Sequence, residues 1–326
     1  DTSDYSAYNH LTSKEERTMG SISHDSSVMY SLIYAYKEAA KIDSNVKLDY
    51  KLSGIKVYYR SVNSLFRVGD FIYKINDFDV NNDIENFVNA YNTKKTGDLF
   101  YIIRDGEEKC ITYQNFTDDN WYTFYAYYDI NYTTASPRIK VNSATSGGPS
   151  AGLLQTLSIF NRLTTNDYTM GLKIAGTGTI DVSGNVGAIG AIKQKVITAS
   201  NNNADIFFCP KANSEEGKSA YDSLSSSKRK KMKFVIVEKF SDATNYLKDA
   251  PARITEPTSC GESDTDSARK TVSGEYARDF VRISVPPPFS PPGTCTSSST
   301  TSGLVCAIIA TDPSTSAACP TTSKYG

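Results

Sequence analysis

The chain has 326 residues, 39% of them hydrophobic and 22% charged, with a formal net charge of −1. That balance suits a soluble chain with a buried core, and so small a net charge supplies no overall field for nucleic acid or anionic lipid. No run of roughly 18 apolar residues occurs, which excludes a transmembrane helix within this chain.

Residues 1–26 are polar and hold the only two histidines, His10 and His24, so a loose start is expected. "SVMYSLIYAYKEAAK", Ser27 to Lys41, places Met29, Ile33, Tyr36 and Ala40 at helical intervals, giving an N-terminal segment 1–49 with one helix. Residues 50–118 alternate short β-rich runs with turn signals at Gly69-Asp70, Asn76-Asp77, Gly97-Asp98 and Asp105-Gly106. One amphipathic helix, around Asp83 to Tyr91, interrupts them.

Residues 119–250 change pattern. "FYAYYDINY" and "PRIKV" read as strands, and a helix follows Ser150. "GLKIAGTGTIDVSGNVGAIG" reads as two strands joined at Ser183-Gly184-Asn185. A helix over Ala191 to Ser200, the strand "ADIFFCP", a helix over Ser214 to Leu224, the strand "KFVIVEKF" and the helix "SDATNYL" complete an α+β unit. The basic run "KRKKMK", Lys228 to Lys233, is expected to be a solvated loop, and its alternative, nucleic-acid binding, rests on charge alone.

From Pro251 onward the composition breaks. There is no Asn, only Lys270 and Lys324 supply lysine, and the stretch holds Cys260, Cys295, Cys306 and Cys319 amid Ser/Thr runs. Such a composition buries too little surface to offset chain entropy, and the cysteine spacings fit no zinc pattern. Residues 251–326 are therefore expected to be a low-complexity tail, disordered or foreign.

The chemistry concentrates at "SGGPSAGLLQTLSIF", Ser146 to Phe160. Leu153, Leu154, Leu157 and Phe160 form an apolar helical stripe, so Ser150 falls at a helix start, where free N–H groups favour negative charge. Gly147, Gly148 and Pro149 can hold its hydroxyl exposed, with amides nearby for an oxyanion. An ordinary serine N-cap after a turn fits this stretch equally.

A nucleophilic serine needs a base. With both histidines in the N-terminal stretch, a Ser-His-Asp triad is disfavoured, as is a Cys-His pair on Cys110 or Cys209. No H-E-x-x-H occurs, so a zinc site of that kind is not expected. Lysine remains. In "AIKQKVITAS", Lys195 shares a helical face with Ile192, Val196 and Ala199, while Lys193 leans to solvent. Burial disfavours the charged amine; bringing its pKa from about 10.4 to about 7 costs roughly 4 kcal/mol. A snorkelling lysine at the core edge is the alternative.

Two resemblances order these observations. "FRVGDFIYKINDFDV" and "TGDLFYIIRDGEEKCITY" resemble a strand-turn-strand and the final hairpin of a PDZ domain, which would place a peptide-binding loop near Ser53 to Tyr59 and imply strand addition. "GGPSAG", "IAGTGTID", "GNVGAIGAIKQK" and "ADIFFCP" resemble, in order and spacing, the Lon-type serine protease domain. "GAIGAI" departs from that family's usual Pro and Gly-Gly. The second resemblance implies a ribosomal-S5-domain-2-like α/β fold, Ser150 as nucleophile, Lys195 as general base and Thr177 as the hydroxyl supporting the lysine. Gly147, Gly148, Pro149 and Ala151 become the nucleophile and oxyanion loop.

Together the chain resembles the PDZ-containing, Lon-like proteases of bacteria. No G-x-x-x-x-G-K-[ST] occurs, so the expected activity is ATP-independent endopeptidase action on flexible or PDZ-presented substrates, without cofactor or metal. A non-catalytic PDZ adaptor or assembly protein is the alternative. The resemblance further implies protein or peptide substrates, a homo-oligomer in the form of a hexameric ring, and no nucleic acid. Because the chain starts at Asp1, it reads as a fragment or processed form of a membrane-associated or extracytoplasmic protein, anchored through a segment absent here.

Overall fold

The structure, a computed structural model, describes residues 10–114, 122–141 and 148–251, together with the backbone of Ile283–Ser284. Most of the tail read as disordered or foreign lies outside the described residues, as do residues 1–9.

The first element corrects the sequence reading. Helix α1 spans Ser13–Ala40, 28 residues, so much of the segment expected to be loose is helical. A capping box starts it: Thr12 Oγ1 accepts from the Glu15 amide, and the Glu15 carboxylate accepts from the Thr12 amide. Its first half carries few apolar residues, but Met19 packs with Leu11 and Tyr59, and Arg60 clasps the Glu15 carboxylate at 2.6 and 3.1 Å. Its second half is buried on all sides from Ser31 to Tyr36, because it lies inside the main core rather than on its surface.

Strand β1 (Lys47–Arg60) follows, then β2 (Phe71–Ile75), β3 (Phe78–Asp79), helix α2 (Ile84–Asn92), β4 (Leu99–Arg104), β5 (Glu107–Thr112) and β6 (Tyr122–Ser136). They form one antiparallel sheet in the order β5-β4-β2-β1-β6, with β3 paired to β2. The expected turns at Asn76-Asp77 and Asp105-Gly106 join β2 to β3 and β4 to β5, and Asp83 caps α2 by accepting from the Asn86 amide. Val57, Phe66, Ile72, Ile75, Phe87, Phe100 and Ile102 fill the core of this sheet. Buried Asp70 accepts two hydrogen bonds from Arg104, at 2.8 and 2.6 Å, fixing the turn before β2.

Ser53 to Tyr59 is not a loop. It lies within β1, which pairs with β2 at Ile55 and Lys56 and with β6 along almost its whole length. Gly54 sits at a register shift where a Cβ would meet the Phe71 ring at 2.5 Å, so the close approach of β2 requires glycine. The sheet also crosses the border expected between residues 118 and 119, since β6 is its edge strand.

The chain continues through β7 (Lys140–Val141), α3 (Gly152–Leu163), β8 (Ile174–Gly176), β9 (Thr179–Ile180), β10 (Val186–Gly187), α4 (Ile192–Asn201), β11 (Ile206–Pro210), α5 (Ser214–Asp222), α6 (Ser226–Lys231), β12 (Lys233–Val237) and α7 (Phe240–Asp249); the two-residue strand Ile283–Ser284 (β13) pairs with β7. Most of the basic run expected to be a loop thus lies in α6, with Lys230 and Lys231 exposed and Lys228 donating to Asn201 Oδ1, and the run leads directly into β12. The stretch read as two strands holds three short ones. In the β9–β10 turn the Asp181 carboxylate accepts from the Ser183 and Asn185 amides, and Gly184 (φ +83°) lies against the Tyr34 ring.

Strands β12, β11 and β8 make a parallel sheet in that order. Its central strand is buried throughout, and the alternation of side chains divides the core. Ile206 and Phe208 join Ile174, α1, α3 and α7 on one face; Phe207 and Cys209 join Ile192, Val196 and Ala220 of α4 and α5 on the other.

Candidate active site

The turn before α3 presents Ser150. Gly148 adopts φ +96°, a conformation favouring glycine, and Pro149 stiffens the step after it; Ser146 and Gly147 lie outside the described residues. Ala151, not Ser150, occupies the N-cap of α3, and no side chain caps that helix start. The ordinary N-cap reading of Ser150 is therefore not what the local geometry contains. Its hydroxyl is directed elsewhere.

Lys195 Nζ lies 3.0 Å from Ser150 Oγ. The lysine is only 4% exposed and projects from the face of α4 that carries Ile192, Val196 and Ala199, as the helical spacing predicts. Thr177, 1% exposed just past β8, makes the third corner. Its amide donates to the Phe208 carbonyl, its Oγ1 donates to the Ser150 carbonyl at 3.0 Å, and Lys195 Nζ donates to Thr177 Oγ1 at 3.5 Å. These directions form a consistent circuit. A neutral lysine can accept the Ser150 hydroxyl proton through its lone pair while an N–H points to Thr177.

The backbone fixes the register. The Gly178 amide donates to the Ser150 carbonyl and the Leu153 amide to the Gly178 carbonyl, both at 3.0 Å, so the start of α3 is stitched to the segment after β8. Gly178 (φ +145°) permits this, since a Cβ there would meet Val186 Cγ1 at 2.6 Å. Among the described residues the Ser150 and Ala151 amides have no hydrogen-bond partner, whereas the Gly148 amide donates, at a long 3.4 Å, to the Gly20 carbonyl of α1.

The other side chains weighed for the chemistry take different places. Neither histidine bonds Ser150: His10 Nε2 meets the Arg60 carbonyl, and His24 Nε2 is buried on α1 without a partner among the described residues. Cys209 is fully buried, and that burial pushes its thiol up to about 12. Cys110 is exposed on β5. Lys193 points to solvent and lies 3.8 Å from Glu216. No group of three or more His, Cys, Asp or Glu side chains suited to a metal occurs among the described residues.

A serine, a buried lysine and a threonine meet here in the arrangement expected from the motifs. Residues 90–248 match the Lon protease (S16) C-terminal proteolytic domain. Ser150, Thr177 and Lys195 all fall within the match. It begins inside the β-rich region, 29 residues before the border expected at 119. Lon protease of Malacoplasma penetrans (strain HF-2) is 33% identical over 100 residues, covering 31% of this chain and 12% of that relative. The chain thus spans a small part of the length of the curated relative it matches. Among the described residues, no helix is long and apolar enough to cross a membrane.

The motifs named the corners of the site but missed α1. The capping signature Thr12-x-x-Glu15 was legible; the serines of α1 that face the Ser150 turn carry no such signal, because polar residues on a helix read as solvated.

Proposed function

We propose that the chain is an ATP-independent serine endopeptidase in which Ser150 is the nucleophile and Lys195 the general base and acid. The observation that carries the reading is the 3.0 Å approach of a nearly buried lysine amine to a serine hydroxyl. Burial favours the neutral amine, the form that can take a proton near neutral pH.

In this reading Lys195 Nζ accepts the hydroxyl proton as Ser150 Oγ bonds to the scissile carbonyl carbon. The resulting oxyanion is met by amide N–H groups at the α3 start, where the Ser150 and Ala151 amides have no hydrogen-bond partner among the described residues. Lys195 then gives the proton to the departing amine, leaving an acyl ester on Ser150. A water molecule, deprotonated by the same amine, then bonds to the acyl carbon; the ester C–O bond breaks, Lys195 returns the proton to Ser150 Oγ, and the second product leaves as the acid. Thr177 holds both the lysine and the carbonyl of the nucleophile residue in place.

Flexible protein segments are the proposed substrates, because the chain contains no phosphate-binding loop to couple unfolding to nucleotide. Where a PDZ-like sheet presents such segments by strand addition, the outer edges of β5 and β6 are the places for it among the described residues, since both edges of β1 are taken. Assembly into a homo-oligomeric ring belongs to the same proposal. The purified chain should cleave an unstructured protein such as casein without nucleotide, and Ser150→Ala should abolish cleavage while keeping the wild-type circular dichroism. Undiminished cleavage by that variant would remove Ser150 as nucleophile, and an intact chain inactive on every flexible substrate would favour the adaptor.

A further inference from the structure

Helix α1 lies outside the region matched by the proteolytic domain, yet one of its faces is built around the Ser150 turn. Gly20, Ser27 and Ser31 recur at i, i+7 and i+11 and so share that face. The Gly20 carbonyl accepts from the Gly148 amide. Ser27 Oγ donates to the Pro149 carbonyl at 3.1 Å, and Ser31 Oγ donates to the Gly152 carbonyl at 3.1 Å. Contacts from one helix therefore bracket the serine on both sides in sequence. The fit is close: a Cβ on Gly152 would lie 2.8 Å from the Ile180 amide nitrogen and 3.1 Å from Ser27 Oγ.

The two serine contacts differ in what they hold. The Gly152 carbonyl also accepts from Thr156 Oγ1 inside α3, so Ser31 adds to an oxygen already anchored in a helix. The Pro149 carbonyl belongs to the peptide bond whose nitrogen is that of Ser150, so its orientation sets the direction of the Ser150 amide and Cα–Cβ bond. Besides Ser27, its described donor is the Gly152 amide at 3.2 Å. Ser27 is 4% exposed, which keeps water from replacing the bond.

We propose that Ser27 is a positioning residue for hydrolysis: by holding the Pro149 carbonyl it aims the Ser150 hydroxyl at Lys195 and the Ser150 amide at the developing oxyanion. This rests on the Ser150–Lys195 reading. Small misplacements of a nucleophile cost large factors in rate without changing how the rest of the substrate is held. The effect is therefore expected in kcat and in acylation rather than in KM.

The test compares wild type, Ser27→Ala, Ser27→Cys and Ser150→Ala in the full chain, measuring kcat and KM on a fluorogenic peptide, the rate of Ser150 modification by a fluorophosphonate, and Tm. Ser27→Ala should lower kcat and the modification rate by about 10-fold or more, with KM kept within about twofold and a wild-type-like melting transition. Ser27→Cys, of similar size but a weaker donor, should fold and fall between wild type and alanine. A wild-type kcat in folded Ser27→Ala or Ser27→Cys would overturn the proposal, as would a loss explained wholly by unfolded protein. Activity persisting in Ser150→Ala would instead strike the dyad reading, so the two failures are separable.

Discussion

Lys195 and Lys193 stand two residues apart on α4 and meet opposite environments. Lys195 is almost wholly buried against Ser150 and Thr177, while Lys193 is more than half exposed and pairs loosely with Glu216. A guanidinium cannot give up its proton in usable pH, so Lys195→Arg should lower kcat/KM by about a thousandfold or more. Lys193→Arg should stay within about twofold, since an exposed pair contributes little. Peptide hydrolysis by the two variants checks the ranking; a snorkelling Lys195 would give equal tolerance at both positions. Thr177→Val tests the third corner. It removes the hydroxyl that meets both Lys195 Nζ and the Ser150 carbonyl, and should reduce kcat by about 10- to 100-fold without abolishing it. Ser150 and Lys195 stood out in the sequence because a glycine-rich turn and a lysine on an apolar helical face are local signals, whereas Thr177 was implied by the family resemblance alone. The distance between Ser150 and Lys195 was not legible, because the two are brought together only by the parallel pairing of β8 with β11 and the packing of α3 and α4 on opposite faces of that sheet.

The elements that sequence patterning placed well are those whose partners cover one face or both faces uniformly. The β4–β5 hairpin, α2 and the fully buried β11 follow their periodicity. Helix α1 does not, because its two halves meet different surroundings: the first lies against the end of β1 at Tyr59 and Arg60, the second is enclosed in the main core. Tyr36 shows the second half's reach, its hydroxyl donating to the Pro137 carbonyl and accepting from the Ile139 amide. The start of α1 depends on Glu15. Burial pushes this carboxyl up, but the Arg60 guanidinium and the bonds from Thr12 outweigh that and hold it down at about 2. A carboxylate depressed in the folded state stabilises fully above its unfolded pKa of about 4.5 and progressively less as pH falls toward about 2. Glu15→Gln should therefore cost about 1 kcal/mol at neutral pH and flatten the acid limb of stability between those values. Thermal melts from neutral pH down to pH 2 check this, and an unchanged acid limb in the variant would sever α1's start from the Arg60 contact.

At the scale of the whole molecule, the large antiparallel sheet and the parallel sheet are joined by two long elements. Helix α1 runs from the first sheet into the core of the second region, and β6 serves the first sheet while its downstream connection is pinned by Tyr36. The sequence divided these parts at a border because composition and turn spacing change there; the strand pairing of β1 with β6 carries the sheet across it, and non-local pairing leaves no local trace. The match to the Lon proteolytic domain likewise begins within the β-rich part, at residue 90. All of this architecture places one serine hydroxyl beside one buried amine. The most direct measurement of that claim is active-site labelling: the chain is treated with a fluorophosphonate without nucleotide, and the modified residue is located by mass spectrometry in wild type and Lys195→Arg. Stoichiometric modification of Ser150 that disappears in folded Lys195→Arg is the result expected here. Modification of any other residue, or of Ser150 at an undiminished rate in Lys195→Arg, would contradict the Ser150–Lys195 pair.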